Sequence, residues 1–106
     1  MERFDIIVIG SGINSLVTAS LLGKSGKKVV VIEARDQIGG LASTEEFAPG
    51  FRCNIINDTL KWIDPRVMKD LNLEANGLAL IQPEVVQVTL SENGEHISFN
   101  RDPKLT

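Results

Sequence analysis

At 106 residues, with 42% hydrophobic and 24% charged side chains, the chain has the make-up of one small globular domain, which excludes disordered and collagen-like classes. A formal net charge of −3 argues against a nucleic-acid partner, because phosphate binding needs a larger basic patch than Lys24, Lys27 and Lys28, which read as a solvated helix end. Cys53 is the sole cysteine, so an internal disulfide is excluded and the thiol reads as free, buried and in a reducing compartment.

In chain order, Ile6-Ile7-Val8-Ile9 is a continuous apolar run closed by glycine, the pattern of a strand buried on both faces in a parallel sheet. From Ile13 to Ser25 the periodicity becomes helical, with Gly12, Ser15 and Ala19 on one face, where small side chains let a helix lie close to a strand. Gly26 supplies the stop. Val29-Val30-Val31-Ile32 is a second buried strand, ending in Glu33. Strand, helix and strand within about 30 residues define a βαβ unit with a right-handed crossover. "ARDQIGGLAST" is a loop with paired glycines, and "EEFAPGFRCN" is a short extended segment around a Pro49-Gly50 turn. "DPRVMKDLNLEANG" predicts a short helix with Asp64 as N-cap, Pro65 in first position and Asn76-Gly77 closing the segment. Val85 to Leu90 and His96 to Phe99 are strand-like runs, and Asn93-Gly94 between them is a hairpin signal. No repeat or low-complexity tract interrupts the chain.

Glycine destabilises strands and helices alike, so Gly10 and Gly12 at the end of an apolar run need a reason. Gly10-Ser11-Gly12-Ile13-Asn14-Ser15 matches G-x-G-x-x-G at its first two glycines, with serine in the third place. Context gives the match weight: it follows a buried strand, opens a helix, and precedes a second strand ending in an acidic residue about 20 positions on. In that arrangement Gly10 makes the tight turn, Gly12 lets backbone approach a pyrophosphate, and the helix N-terminus offers N–H groups to the anion. Glu33 accepts hydrogen bonds from ribose hydroxyls and disfavours a 2′-phosphate. Ser15 is the departure, since a hydroxymethyl in the third position pushes the helix outward slightly.

The stretch from Asp5 to Phe51 resembles the FAD-binding region of the phytoene desaturase-like flavoproteins, a superfamily that includes flavin amine oxidases. There a paired-glycine motif follows the ribose-binding glutamate and lies along the pyrophosphate and flavin side of FAD. Gly39 and Gly40, after Ile38, stand in those positions, which favours FAD over NAD. "PGFRCN", "DPRVMKDLNLEANGLALIQPEVVQVTL" and "GEHISFNRD" are similar in order and spacing to the phytoene dehydrogenase-related subgroup containing pyridine nucleotide-disulfide oxidoreductase domain protein 2. Asn14, Ser15 and Leu16 resemble that subgroup's G-x-G-x-N-G-L pattern with one substitution. Leu41 stands where many members carry arginine, which removes a phosphate or flavin contact and makes amine oxidation a weaker expectation. The resemblance implies an α/β fold, the N-terminal part of a Rossmann-type FAD-binding domain over residues 1–106, with FAD as cofactor. The implied cofactor set is Gly10, Ser11, Gly12, Ile13, Asn14, Ser15, Glu33, Ala34, Arg35, Gly39, Gly40 and Leu41. For full members it implies hydride exchange between flavin and an apolar, often polyene, small-molecule substrate.

Full members of the family are several times longer. Met1 reads as a genuine start and "RDPKLT" carries no terminating signal, so the expectation is a portion of a longer chain, or a module whose open sheet edges are covered by another copy or a partner. An NAD-binding dehydrogenase subunit and a non-catalytic partner-completing module remain the alternatives. No run of about 18 apolar residues occurs, and a secretory leader has no support, so a cytoplasmic location is expected, with attachment to a membrane surface left open. Among other candidates, His96 reads as an exposed strand residue without metal partners, Asp58 and Asp64 as turn and cap residues, and Trp62 as packed under the short helix. Phe47, Phe51 and Phe99 read as core, and Glu45-Glu46 as a solvated face near a cofactor entrance. No residue is assigned a catalytic role.

Overall fold

In a computed structural model, residues 2–56, 60 and 62–105 are described. Asp58 lies outside them. The chain divides into two compact units, Met1–Asn76 and Gly77–Thr106.

The first unit is built on the βαβ element. Strand β1 (Ile6–Ile9) pairs in parallel with β2 (Val29–Ile32), Ile6 opposite Val29 and Ile9 opposite Ile32. Helix α1 (Ile13–Lys24) connects them and packs on both. Its start is Gly12, in extended conformation, and its end is closed by Ser25 and Gly26, whose N–H groups return to the carbonyls of Leu21 and Gly23. Ala19, on the small-residue face that the sequence spacing predicts, is the one buried apolar side chain among the described residues.

The expectation of strands covered on both faces is overturned. Ile6 and Val8 are half-buried, whereas Ile7, Ile9 and Ile32 are 62%, 85% and 52% exposed. Alternate residues of a strand point to opposite faces, and one helix covers one face.

Strands β3 (Thr44–Ala48) and β4 (Phe51–Asn54) form an antiparallel hairpin through Gly50, with a register shift between Glu46 and Ala48. Here again apolar side chains lack a cover. Phe47 and Phe51, expected in the core, are exposed and lean on each other with ring centroids 6.3 Å apart. Cys53, expected buried, is exposed on β4. Helix α2 (Pro65–Asp70) begins as expected, with the Asp64 carboxylate accepting the Arg66 N–H at 2.8 Å. It ends at Asp70, short of Asn76-Gly77, because Asn72 adopts a left-handed conformation and the chain continues in turns. Trp62 is 70% exposed rather than packed under α2.

The second unit is one hairpin, β5 (Val85–Leu90) against β6 (His96–Asn100). Its turn follows the Asn93-Gly94 signal: Gly94 N–H donates to Ser91 C=O at 3.1 Å, and Asn93 Oδ1 accepts the Glu95 N–H. Phe99, read as core, is 42% exposed, and His96 is exposed opposite Leu90.

Candidate functional site

The site begins where β1 stops. Gly10 N–H extends the parallel ladder to Ile32 C=O at 2.7 Å, and Gly10 then turns with φ +90, a conformation that any side chain would strain. The chain re-emerges at Gly12, which starts α1. No side chain caps α1, and no acidic residue stands in its first turn. Its first N–H groups and the positive end of its dipole therefore remain available to an anion. A Cβ added at Gly12 meets no protein atom within 4 Å, so nothing in the chain's own packing demands glycine there.

An open cleft of about 300 Å³ lies against this start of α1, lined by Gly12, Ile13, Asn14, Ser15, Gly39, Leu41 and Ala42. All of these but Ala42 belong to the set that the sequence singles out, and the fold draws them together from the start of α1 and the segment after β2. Gly39 N–H donates to Ser11 C=O at 2.9 Å, and Gly12 and Gly39 form a parallel bridge. Gly40 has an internal reason to be glycine: at φ +60, a Cβ there would stand 3.1 Å from Gly12 Cα. The two glycine motifs fit each other before any ligand is considered.

Ser11, Glu33, Ala34 and Arg35 form the other half of the site. The Glu33 carboxylate, one residue past β2, accepts four hydrogen bonds. Oε2 takes the Ser11 N–H at 2.8 Å and the Ser11 hydroxyl at 2.6 Å, and Oε1 takes the Ala34 and Arg35 N–H groups at 2.8 and 3.1 Å. Donors aimed at the ionised form favour it. The Ser11 hydroxyl above all, then the Arg35 and Ser11 N–H groups, pull Glu33 down to about 2, against a smaller opposing effect of desolvation.

Sequence reasoning placed Glu33 but missed its partner. Ser11 is 1% exposed, and its hydroxyl fastens the glycine turn to the end of β2. A short hydroxyl side chain between two glycines was the available signal. Arg35 makes a further tie, pairing with Glu45, which also accepts the Ser43 hydroxyl at 3.3 Å. Glu46 is exposed, as a solvated face requires, and accepts the Gly50 N–H in the hairpin turn at 2.9 Å, whereas Glu45 is half-buried and joins the loop after β2 to β3. The Arg35 guanidinium holds the Glu45 carboxyl below its usual range.

Comparison with known proteins agrees with this geometry. A family model for the NAD(P)-binding Rossmann-like domain matches residues 8–72. A limonene dehydrogenase subunit of Castellaniella defragrans is 38% identical over 103 residues, 96% of this chain and 19% of that protein. Pyridine nucleotide-disulfide oxidoreductase domain-containing protein 2 of Mus musculus is 42% identical over 78 residues, covering 74% of this chain and 13% of its own length. Flavin-containing amine oxidase B of Homo sapiens is 50% identical over 43 residues, 41% of this chain and 8% of that protein. Among solved structures, putrescine oxidase bound to putrescine aligns with a TM-score of 0.59 and 30% identity over 95% of this chain and 22% of that one. The chain thus spans about a fifth or less of the length of these curated relatives. With the βαβ unit, the glycine turn and the acidic end of β2 in place, the chain belongs to the NAD(P)-binding Rossmann-like domain family, as the nucleotide-binding portion found in FAD-dependent oxidoreductases.

Proposed function

We propose that the chain holds the ADP half of FAD as part of a flavin-dependent oxidoreductase, with residues 1–106 forming its nucleotide-binding portion. The observation that carries this reading is the Ser11–Glu33 tie, which sets a carboxylate beside a glycine turn whose helix is uncapped and opens on a cleft.

The residues present fit such a ligand. Gly10, Gly12 and the backbone of Ile13, Asn14 and Ser15 receive the pyrophosphate, where a Cβ on Gly12 would occupy open space rather than protein. Glu33 receives the ribose, with the Ala34 and Arg35 N–H groups fixing its carboxylate. Gly39, Gly40 and Leu41 lie on the pyrophosphate and flavin side. When bound, the flavin supplies hydride or electron transfer. The work of this chain is to bind and orient, and no side chain here is given a catalytic role.

The substrate is read as an apolar small molecule, polyenes included. Two points support it: Leu41 removes a charged contact beside the paired glycines, and one relative is named for limonene, a hydrocarbon. A partner chain or second copy is read as covering the open edges of the two-stranded β1–β2 sheet, and that same relative is named as a subunit. No helix among the described residues is long and apolar enough to cross a membrane. The cytoplasm, including its membrane surfaces, is the location that fits the lone free cysteine.

Calorimetry of the chain with FAD, NAD and ADP-ribose tests the reading, with Glu33→Ala as control. FAD binding that weakens at least tenfold in the variant is expected, the equivalent of about 1.4 kcal/mol lost with a charge-assisted acceptor. Preference for NAD would give the dehydrogenase-subunit reading. A folded, stably oligomeric chain that binds none of the three would make it a partner-completing module.

A further inference from the structure

The reading of Glu33 as a ribose acceptor meets an obstacle in the structure. A carboxylate offers about four lone-pair directions. All four on Glu33 are engaged within the chain, two by Ser11 and two by the backbone after β2. An arriving ribose hydroxyl needs an acceptor position, so one internal donor has to leave. Three of the donors are backbone N–H groups, fixed by the glycine turn and by the exit from β2. Only the Ser11 hydroxyl can leave by rotation of a single side-chain bond.

We infer that Ser11 is a specificity-determining residue of the ribose subsite, its hydroxyl occupying an acceptor position on Glu33 Oε2 that a ribose hydroxyl takes on binding. This role rests on the adenosine-site reading above and adds to it a competitor inside the protein. Before binding, the Ser11 hydroxyl holds the carboxylate in place at 2.6 Å, the ordinary length of a charge-assisted O–H···O⁻ bond. On binding it turns aside. Ser11 is fully buried, so the displaced hydroxyl needs a new acceptor. The incoming ribose oxygen carries lone pairs of its own and serves, so the exchange leaves no buried polar atom unpaired. The consequence is a dulled preference for ribose: the ligand's hydroxyl gains its bond to Glu33 only as Ser11 exchanges a charge-assisted bond for a weaker one to a neutral ribose oxygen.

The test compares ADP with 2′,3′-dideoxy-ADP by calorimetry at neutral pH, in the full chain and in three variants whose fold is checked by circular dichroism. The readout is the ratio of the two dissociation constants. Ser11→Ala removes the competitor, and the ratio in favour of ADP is expected to rise about fivefold, the scale of the difference between a hydrogen bond to a charged group and one to a neutral oxygen. Ser11→Cys keeps the shape of the side chain, slightly enlarged, with only a weak donor and is expected to move the same way, which preserves the test if alanine unfolds the turn. Ser11→Thr retains a hydroxyl and is expected to stay near the original ratio. An unchanged or lowered ratio in Ser11→Ala and Ser11→Cys, with ADP still bound, overturns this inference alone. No ADP binding in the original chain overturns the adenosine-site reading and this inference with it.

Discussion

The glycine-rich end of the βαβ unit and the β5–β6 hairpin use the same residue types for different reasons. In the hairpin, Asn93 and Gly94 make a turn whose bonds all lie within the sequence from Ser91 to Glu95. In the βαβ unit, Gly10, Gly12, Gly39 and Gly40 meet across loops, and their demands come from residues distant in sequence. A local turn costs only local geometry when altered. A turn that is also a packing surface and a cleft wall has separable requirements, and substitutions can pull them apart.

The largest effect is expected at Gly40. A Cβ there stands 3.1 Å from Gly12 Cα while the residue holds φ +60, so neither motif can yield without moving the other. Gly40→Ala should destabilise the first unit by about 2 kcal/mol, the combined scale of left-handed strain and overpacking. Gly94→Ala, at φ +85 with open space around it, should show only the conformational part, about 1 kcal/mol. Denaturant midpoints of the two variants check the contrast, and equal losses would mean that the inter-motif contact contributes nothing.

Gly12→Ala sharpens the same comparison from the other side. Gly12 has ordinary backbone angles, φ −64 and ψ 165, and free space around the missing Cβ. Its substitution should therefore leave stability within about 1 kcal/mol, the difference between glycine and alanine as N-caps. Nucleotide binding should nevertheless weaken by at least tenfold, because the methyl enters the cleft. A variant that binds FAD or ADP normally would show that the ligand does not approach Gly12, and the pyrophosphate placement would fall.

How far the sequence could be read follows the same division. Strands β1 and β2, helix α1, the Asp64-Pro65 start of α2 and the Asn93-Gly94 turn were all legible, because contiguous apolar runs, caps and turn residues act over a few positions. The glycine fingerprint and Glu33 were legible because their spacing is set by one βαβ unit. Burial was not. Phe47, Phe51, Phe99, Trp62, Cys53 and one face of β1 were read as covered from their apolar character, but residue type records a tendency to be buried, and a cover has to come from another layer. Ser11 with Glu33 and Arg35 with Glu45 also escaped, since hydrogen bonds across 22 and 10 residues leave no periodic trace.

The smallest expected effect concerns protons at Glu33. Glu33 is pulled to about 2 from an ordinary 4.5 by donors that favour its ionised form. A carboxylate depressed on folding contributes stability that is fully present above its unfolded value and is lost as pH falls through the folded one, so its contribution disappears between about 4.5 and 2. The amide signals of Ser11, Ala34 and Arg35, which donate to Glu33, should therefore shift together in an acid titration with a midpoint near 2. A midpoint near 4.5 would mean that the four donors do not hold the carboxylate in solution. Because the group stays ionised throughout ordinary pH, nucleotide affinity should be flat in the neutral range and fall only in strong acid. In Ser11→Ala the loss of the largest single cause moves the midpoint upward, toward 4.5. That shift separates the two tasks of Ser11: the same substitution should sharpen ribose recognition at neutral pH and make the acceptor easier to protonate in acid.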